Sequence, residues 1–147
     1  MGLKVGSKIP LFTLPDGEGN PFSIQELIGK KSFVIYFYPK NNTPGCTKEA
    51  CDFRDSYEDF VALGAEVVGI SADSAKSHAR FGQKYDLPFI LLSDKDNAVR
   101  KQFKIKNSLL VLPGRETYVV DKTGVVIMVF NSINASEHMR RALKALS

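Results

Sequence analysis

The sequence predicts a single α/β domain, a mixed central β-sheet flanked by helices with an N-terminal β-hairpin extension. Three observations carry this prediction. A continuously apolar, β-favouring run occupies 33–38 and a second buried strand 66–71, each is followed by an amphipathic helical repeat, and the last two strand-like runs are joined by a tight turn rather than a helix. At 147 residues, with no internal repeat, low-complexity tract or Ser/Pro-rich linker, residues 1–147 read as one domain.

Each element has a local signal. Residues 12–14 and 21–23 flank the polar turn Asp16-Gly17-Glu18-Gly19-Asn20, a hairpin expected to decorate the main sheet. Ser23 followed by Glu26 is a capping box, which starts a short helix ending near Gly29. The run 33–38 is the central strand, covered on both faces, and it stops at Pro39. Thr43 at the N-cap and Pro44 at the first helical position then open a helix whose Ala50, Phe53, Tyr57 and Phe60 recur at helical spacing until Gly64. A strand at 66–71, a helix at 74–85, a short strand at 89–92 and a helix at 97–103 follow. Strands at 117–120 and 125–130 flank the turn Asp121-Lys122-Thr123-Gly124, and an amphipathic helix occupies 135–146. The order βαβαβαββα implies a mixed sheet with helices on both faces.

Composition excludes several classes. The net charge is only +4 and basic residues alternate with acidic ones, so pairs such as Lys30-Lys31 and Arg140-Arg141 read as solvated faces, not a nucleic-acid stripe. No apolar run approaches the roughly 20 residues of a membrane span. The first residues lack the apolar core of a secretory signal and the Ser/Thr of a myristoylation signal, so the chain is expected to act where it is made, in the cytoplasm. The only two cysteines, Cys46 and Cys51, would close too small a loop to stabilise the chain, which makes chemistry the better reason for the pair.

Counting from the Thr43 cap, Cys46 falls at the third position of its helix, among backbone N–H groups that the helix leaves unpaired. A free thiol titrates near pH ~8.5, and a helix N-terminus or nearby cations can bring such a group to about 3.5 to 7.5. Taken alone, Cys46 reads equally well as a small buried apolar residue. Its neighbours shift the balance: Pro39, Thr43, whose hydroxyl can hydrogen-bond a substrate or the sulfur, and Cys46 spell P-x-x-x-T-x-x-C, followed by Glu49.

With Phe37-Tyr-Pro-Lys40, Thr43-Pro-Gly-Cys-Thr-Lys-Glu-Ala-Cys51 and Phe53-Arg-Asp-Ser56, the chain resembles the peroxiredoxins over nearly its whole length, specifically the peroxiredoxin Q or bacterioferritin comigratory subgroup. The resemblance implies a thioredoxin-like fold and a peroxidase in which Cys46 attacks the hydroperoxide. Pro39 and Thr43 then help form the pocket, with Arg115 of Leu112-Pro-Gly-Arg-Glu-Thr-Tyr118 facing the departing oxygen as a donor. By itself Arg115 would read as a surface turn residue.

Cys51 is the only other thiol and so the expected resolving partner of a Cys46 sulfenic acid. Residues five apart on an ideal helix have Cα atoms separated by roughly 8.6 Å, against about 4.4 to 6.8 Å for a disulfide. Bridging therefore requires 43–52 to unwind. Regeneration needs thioredoxin or a similar dithiol, no cofactor is required, and the resemblance suggests a monomer, placed in a plastid instead if a transit peptide has been removed.

Two other functions fit the sequence less well. A thiol–disulfide oxidoreductase would place its cysteines as C-x-x-C, whereas this chain has C-x-x-x-x-C. A metal module would use Cys46, Cys51, His78 and His138, but neither histidine has zinc-finger spacing and each reads as a surface or packing residue.

Overall fold

The computed structural model describes residues 2–105 and 115–147. A hairpin, β1 (Thr13–Pro15) and β2 (Pro21–Ser23), precedes β3 (Ser32–Phe37), α1 (Pro44–Asp55), α2 (Tyr57–Ala62), β4 (Ala65–Ser71), α3 (Ala75–Lys84) and β5 (Ile90–Ser93). After these come α4 (Ala98–Gln102), β6 (Glu116–Val120), β7 (Val126–Asn131) and α5 (His138–Leu146). One five-stranded sheet has the order β5-β4-β3-β6-β7, with β3 parallel to β4 and antiparallel to β6. The predicted mixed sheet is present, with β3 at its centre.

Alternation along β3 divides the core. Phe33, Ile35 and Phe37 pack with Val99 and Phe103 of the α4 segment and with Phe12, Leu14 and Ile24 of the N-terminal segment. Val34 and Tyr36 face Ala50 and Phe53 of α1, Phe60 of α2, Phe81 of α3 and Ala142 of α5. Tyr36 stacks on Phe53 with ring centroids 4.6 Å apart. A Cβ on Gly69 would stand 2.8 Å from Tyr36 Cζ, so the bare glycine of β4 makes room for that ring.

Several elements differ from expectation. The hairpin forms its own two-stranded sheet, tied to the main one by a single bridge between Asp16 and Leu92. Ser23 and Glu26 do form a capping box, but on a 3-10 turn, Ile24–Glu26, because Leu27 N–H bonds back to Ile24 O and Gly29 turns away at φ 88° to bond Lys122 O. The helix expected to run from Thr43 to Gly64 breaks at Ser56, whose carbonyl accepts from Asp59 and Phe60 as α2 begins. The break lets Phe53 and Phe60 both reach the core, with centroids 5.7 Å apart. Before α4, the buried Asp94 carboxylate takes the N–H groups of Val99 and Arg100, the capping role that Asn97 does not fill.

Candidate active site

Strand register assembles the site. Phe37, the last residue of β3, pairs with Glu116, the first of β6, so Arg115 enters the sheet beside the point where the chain leaves β3 toward Pro39 and α1. Glu116 likewise pairs with Asn131 of β7, and Ser132 N–H donates to Arg115 O at 3.3 Å. The turn after β7 then brings Ala135 and His138 against α1. Three segments distant in sequence thus converge on the first turns of α1.

The loop feeding that helix is pinned from below. Tyr38 Oη donates to Asn41 Oδ1 at 2.6 Å, Asn41 N–H donates to Asp73 Oδ2 at 2.9 Å, and Asn41 Nδ2 lies 3.1 Å from His78 Nδ1. Burial pushes the His78 imidazole below its usual range, so it serves this network as a neutral ring. Asn41 is buried although it lies among polar residues in the sequence.

Cys46 is 1% exposed and carries a free thiol. Arg115 Nη2 donates toward its Sγ at 3.5 Å, and Nη1 of the same guanidinium donates to Glu49 Oε1 at 2.5 Å. Arg115 is 7% exposed, so this is not the surface turn that its local sequence suggests. One buried cation spans a sulfur and a carboxylate, an arrangement that stabilises negative charge at either place. Gly45 leaves the space, since a Cβ there would lie 3.1 Å from Arg115 Nη2.

Beyond Glu49 stands His138. Its Nε2 donates to Ser132 O at 2.8 Å, which leaves Nδ1 as an acceptor for the Thr117 hydroxyl at 2.7 Å. Glu49 Oε2 lies 3.6 Å from the same Nδ1 and has no hydrogen-bond partner among the described residues. Burial raises the Glu49 carboxyl to about 8, outweighing the opposing pull of Arg115. Burial also lowers His138 to about 4, with the Arg115 charge adding to the effect.

These shifts predict how stability varies with pH. Between the usual 4.5 of a glutamate and about 8, the folded chain keeps a Glu49 proton that the unfolded chain releases, so the Glu49 contribution to stability falls as pH rises through that window. For His138 the unfolded chain binds a proton below 6.5 that the folded one refuses until about 4, so its contribution falls as pH drops. Urea unfolding of the reduced protein across pH 5 to 8 is expected to show a shallower decline for Glu49→Gln than for the parent. Equal slopes would contradict a buried, protonated Glu49.

The predicted site residues are distributed unevenly. Cys46 and Arg115 meet, and Arg115 immediately precedes a strand as expected; residues 112–114 of its motif lie outside the described residues. Thr43 has N-cap backbone geometry, but its hydroxyl donates to Lys40 O at 2.9 Å instead of capping α1 or contacting the sulfur. Pro39 is half-buried, between β3 and α1. Cys51 is half-buried on α1, which is continuous through both cysteines. His78 and His138 engage separate protein partners, and no group of three or more His, Cys, Asp or Glu among the described residues is placed to hold a metal.

Glu49 and His138 as site residues were missed. Glu49 had a usable signal, lying three residues after Cys46 and so on the same helix face. His138 had none, because only the β7–α5 turn brings it there.

The chain is similar to known proteins in sequence and in fold. A model described as the AhpC/TSA family matches residues 5–129. Peroxiredoxin Q, chloroplastic, of Sedum lineare is 55% identical over 143 residues, 96% of this chain and 76% of that protein. Peroxidoxin BcpB of Mycobacterium tuberculosis superposes with a TM-score of 0.91 at 38% identity, covering 98% of this chain and 96% of its own. The bacterioferritin comigratory protein of Xanthomonas campestris, described for alkyl peroxide reduction, gives 0.86 at 30% identity over 94% and 95% of the two chains.

Proposed function

This chain belongs to the AhpC/TSA family, as a thiol-dependent peroxidase of the peroxiredoxin Q type, and we propose that Cys46 is its peroxide-attacking thiol and Cys51 the thiol that resolves it. The observation that carries the assignment is the Arg115 guanidinium donating at once to Cys46 Sγ and Glu49 at the start of α1. Sulfur attacks one peroxide oxygen, the O–O bond breaks, and Arg115 stabilises the charge growing on the departing oxygen. The Thr43 hydrogen is committed to Lys40 O, so its oxygen acts as an acceptor, orienting the peroxide O–H instead of donating to the growing charge. Pro39, lacking an N–H, shapes the pocket wall.

Cys46 then carries a sulfenic acid, which condenses with Cys51 to a disulfide and releases water. In the ideal helical geometry the two Cα atoms are roughly 8.6 Å apart, beyond disulfide reach, so the first turns of α1 unwind once per cycle. Ser56, where α1 already breaks, is a natural limit to that unwinding. Amide hydrogen exchange across 44–54 is expected to be slow in the reduced protein and fast after one equivalent of peroxide, and equal protection in the two states would overturn this step. Mass analysis of the oxidised monomeric chain should find Cys46 and Cys51 joined.

Both thiols lie in one chain, so turnover needs no second subunit, and the protein works as a monomer. The alkyl peroxide reduction described for the Xanthomonas relative favours alkyl hydroperoxides as substrates here; hydrogen peroxide is reduced by the same attack, and thioredoxin or a similar dithiol is the reductant. The chloroplast designation of the Sedum relative favours a plastid over the cytoplasm expected earlier.

A further inference from the structure

Two groups able to carry negative charge share one buried cation. We propose that Cys46 and Glu49 divide a single negative charge across Arg115: Glu49 is protonated while Cys46 is a thiolate, and it ionises when the sulfur gives its charge up. The inference rests on Cys46 being the attacking thiol.

The geometry favours this exchange. Glu49 is 0% exposed and Arg115 7%, so a second anion beside the same guanidinium has no solvent to compensate it. Oε1 accepts from Arg115, while Oε2 has no hydrogen-bond partner among the described residues and faces the acceptor nitrogen of His138 at 3.6 Å. An ionised Oε2 would set negative charge against a lone pair. Protonation of Oε2 removes that repulsion. The other groups acting on Glu49 do not supply a second positive charge: Asp52 on the same helix raises its affinity for a proton, and Tyr36 and Tyr38 of the adjoining β3 end are held neutral by burial.

The cycle then balances. The thiolate of Cys46 attacks ROOH, forming an S–O bond and breaking O–O; sulfur is oxidised to S–OH and RO⁻ departs. RO⁻ takes up a proton from solvent to leave as ROH and Glu49 releases one to solvent, so one negative charge has moved from sulfur to carboxylate with no net change in protons. Condensation with the Cys51 thiol forms S–S and releases water without net proton change. When an external dithiol reduces the disulfide, the new Cys46 thiol returns its proton to Glu49. Glu49 is thus a proton store acting through Arg115 and does not touch the peroxide.

Glu49→Gln is the informative substitution, because an amide keeps an oxygen for Arg115 and the shape of the neutral carboxyl but cannot release a proton. Infrared spectra of the reduced parent near neutral pH are expected to show the C=O stretch of a protonated buried carboxyl, absent from Glu49→Gln and also from Cys46→Ser, where Arg115 serves one anion only. Adding one equivalent of hydrogen peroxide to Cys51→Ser, in which α1 cannot be unwound by a disulfide, should abolish the band as Cys46 is oxidised. The alkaline fall of kcat/KM in the parent should vanish in Glu49→Gln, with a loss of about 10²-fold near neutrality. A band persisting in Cys46→Ser, missing from the reduced parent, or unchanged after mass analysis finds Cys46 oxidised overturns this inference alone. Failure of Cys46 to oxidise overturns the peroxidatic assignment and the inference with it.

Discussion

Cys46→Ser is expected to reduce hydroperoxide consumption to the level of buffer, with thioredoxin and its reductant present in excess. Serine at the same helix position keeps the size of the group but lacks an easily ionised sulfur, and Arg115 cannot turn a hydroxyl into a nucleophile of comparable strength. Cys51→Ser has a different signature: one equivalent of peroxide is consumed, Cys46 stops at the sulfenic acid, and thioredoxin recycles it poorly. Further peroxide then drives Cys46 to the sulfinic acid, detectable as added oxygen by mass. Sustained turnover by Cys46→Ser would remove this sulfur from the mechanism, and undiminished cycling by Cys51→Ser would remove the intramolecular disulfide.

Arg115→Met should produce the second-largest effect. The methionine fills much of the buried volume but presents no N–H group to the sulfur or the departing oxygen, so kcat/KM is expected to fall by about 10² to 10³-fold, the range for losing a preorganised donor. Arg115→Lys should recover only a small part, because one ammonium cannot donate along both directions that Nη1 and Nη2 now serve. Removing the guanidinium also removes the attraction that lowers the Glu49 affinity for protons. The stability lost in Arg115→Met should therefore grow as pH rises, read from urea unfolding at several pH values. Full activity in Arg115→Met would show that its contact with Cys46 is structural only.

Much of the fold could be read locally. The strand at β3, the polar turn at Asp121, where Oδ1 takes the Thr123 N–H at 2.8 Å, and the Thr43-Pro44 start of α1 each depend on residues adjacent in sequence. The break at Ser56 did not show, because helical spacing continues through it. It follows from how Phe53 and Phe60 both enter the core beneath the sheet.

The sequence by itself determined the order of elements, the helix-start position of Cys46 and the pairing of two thiols in one chain. Those properties are short-range, set by alternation, capping chemistry and spacing. Tertiary structure alone decided that Arg115, 69 residues away, reaches Cys46 Sγ, and that Glu49 and His138 stand behind it with their proton affinities shifted in opposite directions. Desolvation is the reason: the cost of a charge depends on what distant segments pack around it, and no local pattern records that packing.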